Sequence, residues 1–205
     1  ALADITMTGD LYIAANTTLD DDGNTITVNN DNGDDDTFTM ETGASLLVGA
    51  TTFPTNVVNG GFNAYAFDNT LGGESLVHYD RAGDQDIEGI SGAGTNAYAQ
   101  VRLGGTGTKT LKGAMDVNDL LTVDNNITFL NNDGGTGYAI TFDAGNGNSD
   151  WTMSGAGASY TAGSASSINF SGTAHTLTHP AAITYRDLNI SAPFSMTGED
   201  VIVTN

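Results

Sequence analysis

Two runs of aspartate are the residues of this chain whose type and spacing most suggest chemistry. Carboxylate oxygens are hard ligands, and calcium is the natural candidate cation for them. Neither run has the spacing of an EF-hand loop, and both flank predicted turns, so a solvated acidic turn is the competing interpretation. The candidate calcium ligands are Asp20, Asp21, Asp22, Asp34, Asp35 and Asp36. The sequence suggests no other cofactor.

A histidine pair and two arginines are the remaining candidates. His175 and His179 are four positions apart, which on a strand places both rings on one face, where a metal could bind. No acid or third histidine lies nearby in the sequence, so a surface pair is the favoured interpretation. Arg102 and Arg186 could serve a polysaccharide-degrading enzyme, but no pair of acids can be tied to either, which favours structural salt bridges. We therefore predict no catalytic residue and no enzyme.

Short strands must position these residues, because helical patterns are nearly absent. No stretch of ten or more residues has apolar side chains spaced i, i+3, i+4. Instead, an apolar–polar–apolar unit recurs and is closed by Gly, Asn or Asp, as at Ile26 and Val28. A period of two predicts strands with one buried and one solvated face. Aromatic residues such as Trp151 and Phe142 share this register, which favours core packing over sugar stacking.

A longer repeat lies above this period. Residues 7–13 match residues 111–117 in their glycine and apolar positions, and residues 195–205 repeat the pattern of residues 6–16. Repeats of this kind indicate a stacked architecture. We predict one solenoid domain over residues 1–205, with about two degenerate modules at approximately 1–104 and 105–190 and a third begun at 191–205.

The motifs of these repeats resemble those of a known class. Residues 98–123 read Tyr-x-x-Val-x-Leu, then a glycine-rich turn, then a strand ending in Leu-Thr-Val. Residues 9–13 read Gly-Asp-Leu-Tyr-Ile, and residues 185–190 read Tyr-Arg-Asp-Leu-Asn-Ile. This resembles the repeats of secreted bacterial β-helix proteins, namely autotransporter passengers, filamentous adhesins and surface-anchored proteins. The resemblance covers most of the chain except about residues 50–75. It implies β-helical coils, a secreted, extracellular or cell-surface location, and adhesive or scaffolding work.

The predicted fold is all-β, a right-handed β-helix (β-solenoid) of short strands with roughly eight to ten coils of about 20–25 residues. Coils pair with the coils above and below, so bare terminal coils expose backbone groups. Two complementary edges of this kind propagate without closing. The predicted polymerisation edges contain Ile5, Met7, Leu11, Ile13, Phe194, Met196, Val201 and Val203. The alternative fold is a jelly-roll β-sandwich that polymerises by donor-strand exchange.

Composition limits the partners. The chain has 5 Lys+Arg against 25 Asp+Glu, for a net charge of −20, and such a polyanion is repelled by nucleic acid and by anionic membranes. No apolar run approaches the ~20 residues of a membrane helix. The absence of cysteine excludes disulfides and thiolate metal sites.

Together these patterns predict a structural subunit of an extracellular filament or surface appendage that polymerises head to tail for adhesion or biofilm scaffolding. The predicted partners are other copies of the chain and surface glycans, with no nucleic acid and no membrane insertion. The alternative function is a carbohydrate- or host-binding segment of a larger adhesin. A β-helical polysaccharide lyase is the third and less favoured candidate.

Overall fold

Short strands joined by turns make up the described structure. The computed structural model describes residues 4–29, 36–56, 62, 64–92, 96–143 and 150–204. The strands are β1 (Ile5–Thr8), β2 (Leu11–Ile13), β3 (Thr18–Asp20), β4 (Ile26–Asn29), β5 (Thr37–Met40), β6 (Ser45–Val48), β7 (Thr55–Asn56), β8 (Ala64–Phe67), β9 (Leu76–Tyr79), β10 (Gln85–Ile87), β11 (Tyr98–Leu103), β12 (Gly107–Leu111), β13 (Met115–Val123), β14 (Ile127–Asn131), β15 (Ala139–Asp143), β16 (Asp150–Met153), β17 (Ser159–Ala162), β18 (Ser167–Ser171), β19 (His175–His179), β20 (Ile183–Tyr185), β21 (Asp187–Ile190), β22 (Phe194–Gly198) and β23 (Val201–Val203). Within these ranges there is no helix, and hence none long and apolar enough to cross a membrane.

The strands pair in parallel with strands well separated in sequence. Every pairing between described strands is parallel, and aligned partners lie from 18 positions apart, as for Ile183 and Val201, to 31, as for Thr128 and Ser159. The largest sheet has eleven strands and begins at β3, β6, β9, β11 and β13. Beyond β13 it divides into β15–β18–β21 and β16–β19–β22. The all-β prediction is therefore confirmed, and the large parallel sheet is compatible with a β-solenoid.

The pairing also bears on two finer predictions. A jelly roll is built from antiparallel strands, so the parallel ladders between the described strands disfavour that alternative. The separation between aligned partners varies more than the predicted 20–25 residues, because the turns differ in length and because the register of β11 on β13 shifts between Tyr98 and Gln100.

Parallel register places equivalent residues of successive strands in columns. In the large sheet one column faces inward and consists of Leu19, Leu46, Val77, Val101, Leu121, Trp151, Leu177 and Met196. Its six inner members are buried, whereas Leu19 is partly buried and Met196 is 53% exposed. The period-two pattern therefore predicted the buried face correctly, and only the ends of the column lack cover.

Aromatic rings stack along the core in the second half of the chain. The ring centroid of Trp151 lies 5.1 Å from that of Tyr160, 5.6 Å from Tyr185 and 5.9 Å from Phe142. Phe142 in turn stacks on Phe170 at 4.9 Å. All five rings are buried, which confirms that these aromatic residues are core groups.

The repeats seen in the sequence relate differently to the pairing in the two parts of the chain. At the offset of 104, β2 corresponds to residues 115–117 of β13. Both segments pair in parallel with a strand that follows them in the sequence: β2 pairs with β5, and residues 115–117 pair with β15. The repeat at the tail equates β22 with β1. However, β22 lies in the eleven-stranded sheet, whereas β1 pairs with β4 in a separate three-stranded sheet. The division into two modules stays a prediction.

Replacing Trp151 by Ala should lower the free energy of unfolding by about 3–5 kcal/mol, because it removes a buried ring and leaves a cavity among three other rings. Denaturant unfolding followed by circular dichroism measures the change. The control is Leu71→Ala, at a side chain that is 71% exposed, for which we expect a change within about 0.5 kcal/mol. Equal losses in the two variants would contradict the core position of Trp151.

Candidate functional site

The candidate assembly site consists of the strand edges at the two ends of the chain. The first three strands, β1, β2 and β3, pair with β4, β5 and β6, and the last three, β21, β22 and β23, pair with β18, β19 and β20. Within the described residues each of these six strands has a partner on one side only. Each therefore presents a row of backbone N–H and C=O groups that can pair with a further strand.

All the predicted edge residues lie in these terminal strands, but their side chains differ in exposure. Ile5 is 40% exposed, Met196 53% and Val203 47%. Leu11 and Ile13 are already buried within the chain. The remaining predicted edge residues are partly buried, namely Met7, Phe194 and Val201. The edge of β2 is thus open in its backbone, while its inward side chains are covered.

Exposed apolar side chains are concentrated on the same strands. Among the described residues, the large hydrophobic side chains that are exposed are Ile5, Tyr12, Leu71, Ile190, Met196, Ile202 and Val203. Leu71 alone lies outside the terminal strands, in a turn. The sequence analysis missed Tyr12, Ile190 and Ile202. Tyr12 and Ile202 could have been found, because both lie between two apolar residues, where a solvated face would have a polar one.

The first aspartate run forms a turn and contacts the residues that follow β6. Asp20 accepts a hydrogen bond from the backbone N–H of Asp22 at 2.8 Å. Asp21 is buried, and its Oδ1 accepts from the N–H groups of Gly23 at 2.9 Å and Gly49 at 2.8 Å. Burial raises the pKa of Asp21, although these hydrogen bonds act in the opposite direction. Asp22 has a positive φ of 49°, as turn residues often do.

Calcium binding at the aspartate runs stays a prediction. No group of three or more His, Asp or Glu side chains in the described ranges is placed to hold a metal ion. Asp34 and Asp35 lie outside the described residues, and Asp36 is buried next to β5. The carboxylates of Asp20 and Asp21 therefore accept hydrogen bonds from backbone N–H groups. In the described part of the chain, the predicted calcium ligands do not come together around a common point.

Aspartates at or directly before strand starts form a second kind of contact between paired strands, which the sequence analysis missed. In four places within the described residues, an Asp carboxylate accepts the backbone N–H of a threonine near the start of the paired strand. These pairs are Asp4 with Thr25 at 2.9 Å, and Asp10 with Thr37, Asp84 with Thr108 and Asp150 with Thr176, each at 2.8 Å. Such charge-assisted hydrogen bonds are stronger than neutral ones. The available signal was an Asp directly before a strand, as in Gly-Asp-Leu at residues 9–11.

The predicted surface position of the histidine pair is wrong. His175 and His179 share one face of β19, as expected, but both side chains are buried. Their aligned strand positions belong to the inward face that also contains Leu177. The ring nitrogen Nε2 of His175 lies 2.6 Å from the carbonyl oxygen of Ser171, and Nδ1 of His179 lies 2.8 Å from that of Ala181.

The two arginines form ion pairs of unequal quality. The Nε–H of Arg102 donates to Asp124 at 3.0 Å, which confirms the predicted structural salt bridge. Nε of Arg186 lies 3.7 Å from Asp187, and both side chains are more than 40% exposed. An exposed pair of this kind contributes little to stability.

A buried lysine is the least expected polar group. Lys109 in β12 is fully buried, and its Nζ donates to the carbonyl oxygens of Arg81 at 2.9 Å and Gly83 at 3.3 Å and to Oε1 of Gln85 at 2.9 Å. The side-chain amide of Gln85 donates in turn to the carbonyl oxygen of Ala50. None of these acceptors is a carboxylate, and burial lowers the pKa of Lys109 to about 8.

Comparison with known proteins leaves the family open. The chain matches no protein-family model, no curated protein and no solved structure. The resemblance to secreted β-helix repeats therefore rests on the motifs at residues 98–123, 9–13 and 185–190.

Because of Lys109, the free energy of unfolding should increase as the pH rises from about 8 towards 10. Its pKa in the fold lies below the unfolded value of about 10.4, so the unfolded state binds more protons across this interval. Above about 10, buried tyrosines such as Tyr79 and Tyr98, whose pKa values are raised by burial, reverse the trend. Denaturant titrations between pH 7.5 and 9.5 measure the slope.

In that experiment, the variant Lys109→Met should show no increase in the free energy of unfolding with pH. Lys112→Met is the control, because Lys112 is partly exposed and its hydrogen bond with Asp133 raises its pKa. A slope that survives in Lys109→Met would contradict the assignment.

If the aspartate runs bind calcium as predicted, excess chelator should lower the melting temperature, and added calcium should restore it. Asp20→Asn combined with Asp22→Asn should remove this response, because it deletes two carboxylates while leaving the buried Asp21 in place. Scanning calorimetry measures the shift. A melting temperature unchanged by chelator would end the calcium hypothesis.

Proposed function

We propose that this chain is a right-handed β-solenoid that serves as a structural subunit of an extracellular filament or surface appendage. Copies join head to tail, and the polymer provides adhesion or biofilm scaffolding at the cell surface. The observation that supports this proposal is the concentration of exposed large apolar side chains on terminal strands that have a free edge.

The two ends differ from each other, which determines the kind of assembly. A contact between the first coil of one copy and the last coil of another is heterologous and leaves one end of each kind free. Such a contact builds an open filament when the rotation between copies does not close a ring. Each contact would cover the apolar groups of both ends, such as Ile5 and Met196, and burial of apolar surface is worth roughly 25 cal/mol per Å². New backbone hydrogen bonds would form at the same time.

Charge opposes this association. The net charge of −20 includes exposed carboxylates on the terminal coils, such as Asp4, Asp20 and Asp200. Repulsion between exposed charges is screened beyond about 8 Å at physiological salt. In the proposal, salt or divalent cations, with calcium the predicted one, reduce this repulsion at the joint.

A second candidate function is a carbohydrate- or host-binding segment of a larger adhesin. It is favoured by the outward face of the large sheet, where Thr122, Thr152, Thr178 and Thr197 are aligned on successive strands. A row of hydroxyl groups can donate and accept hydrogen bonds to the hydroxyl groups of surface glycans.

Met196→Asp should abolish assembly, because it places a carboxylate in the apolar patch at the last coil. Analytical ultracentrifugation and negative-stain microscopy of the purified chain, at low salt and at physiological salt, measure assembly. Far-UV circular dichroism should remain that of the unmodified chain, since Met196 is half exposed.

Leu71→Asp is the matched control, because Leu71 is the exposed apolar residue that lies away from the terminal strands. It should assemble as the unmodified chain does. Dispersed monomers of the unmodified chain at all salt concentrations would overturn the filament proposal and favour the binding segment. Equal inhibition by the two variants would show that the assembly does not use the terminal strands.

A further inference from the structure

We infer that the joint between copies continues the eleven-stranded sheet, with β3 of the incoming copy pairing in parallel with β22 of the preceding one. In this register Leu19 is placed on Met196. The inference rests on the proposed head-to-tail assembly and adds the strands and the register that make the contact.

The topology of the large sheet supports this choice of strands. β3 lies at one end of an unbroken series of eight strands, and β22 lies at the other. Each step of the series is a parallel pairing with defined register. Pairing β3 with β22 therefore repeats a contact that the chain already makes seven times within itself.

The inward column defines the register. The column that begins at Leu19 and ends at Met196 is apolar throughout, and each of its inner residues is covered by a neighbour on both sides. Met196 lacks such a neighbour and is 53% exposed, while Leu19 is only partly buried. Placing Leu19 of the incoming copy on Met196 of the preceding copy supplies the missing neighbour of both residues.

The outward columns on either side match in the same register. Thr176 and Ser195 are aligned, with their hydroxyl oxygens 3.2 Å apart, and Thr18 would be the next hydroxyl in that column. Thr178 and Thr197 are aligned at 3.0 Å, and Asp20 would follow them.

A carboxylate beside a threonine hydroxyl is a contact that the chain already uses. The hydroxyl of Thr37 donates to Oδ1 of Asp10 at 2.8 Å, between adjacent strands. The same contact between Thr197 and Asp20 would place the Asp20 carboxylate in a hydrogen bond across the joint. This would offset part of the repulsion between carboxylates of the two copies.

The repeat at the tail of the sequence predicts a competing register. It aligns Met196 with Met7, and so would place β1 rather than β3 on β22. However, β1 and its partner β4 belong to a three-stranded sheet that shares no strand with the large sheet. The pairing of β1 with β22 would therefore join two different sheets, whereas β3 extends one.

Engineered disulfides can distinguish the two registers, because the chain has no cysteine. Adjacent strands lie about 4.7–4.9 Å apart, within the Cα separation of about 4.4–6.8 Å that a disulfide spans. Thr18→Cys with Ser195→Cys tests the inferred register. Thr6→Cys with Ser195→Cys is the matched control for the competing one, since Thr6 is also an exposed threonine on a terminal strand.

Both double variants would be oxidised under conditions in which the unmodified chain assembles and then run on a non-reducing gel. We expect a ladder of covalent oligomers, reversible by reductant, for Thr18→Cys with Ser195→Cys. For Thr6→Cys with Ser195→Cys we expect no ladder. A second pair in the inferred register, Asp20→Cys with Thr197→Cys, should also give the ladder, and circular dichroism confirms folding.

A ladder from the Thr6 pair alone would overturn the inferred register and leave the filament proposal intact. Assembly of the unmodified chain without a ladder from any pair would show that other strands make the joint, which also overturns the inference. If the unmodified chain remains monomeric at physiological and high salt, the proposed function fails, and the inference fails with it.

Discussion

Parallel, in-register pairing of strands is the constraint on which the rest of this structure depends. Once strands separated by 18 to 31 positions align, each inward position becomes one member of a column. Its members must be apolar or have their polar groups hydrogen-bonded, as those of Gln85 and Lys109 are. A single short strand cannot bury its own apolar residues. Cover comes from the strands paired on either side, as Leu46 and Val101 cover Val77, and within the described residues the outermost strands of the large sheet have a partner on one side only. The exposure of Met196 and of Ile5 is the direct consequence of this geometry.

The acidic residues are distributed so that many of them support the stacking. Carboxylates before strands accept N–H groups from the aligned threonine of a neighbouring strand, as Asp10 does from Thr37. The two hydrogen bonds from Thr37 lower the pKa of Asp10, whereas burial raises that of Asp21. The negative charge is therefore partly structural. In the proposed assembly, exposed carboxylates such as Asp200 would make association dependent on salt.

How far the sequence could predict the site depended on the range of the interactions involved. The buried face of each strand, the aromatic core around Trp151 and the ion pair of Arg102 follow from local alternation and from charge, and these were predicted. The burial of His175 and His179 was missed, although Leu177 lies between them on the same face of β19 and marked that face as the inward one. The environment of Lys109 could not be predicted either, because its acceptors at Arg81 and Gln85 lie 28 and 24 positions away in the sequence.

By itself, the sequence determined that the chain forms short strands with one apolar face, that helices are nearly absent and that its surface is strongly acidic. These properties depend on neighbours in the chain and on composition. Only the tertiary structure decided which strands meet. Pairing partners depend on the alignment of strands joined by turns of unequal length, and similarity between short segments does not encode that alignment. For this reason the tail resembles β1 in sequence, yet the large sheet places β3 at the end opposite β22.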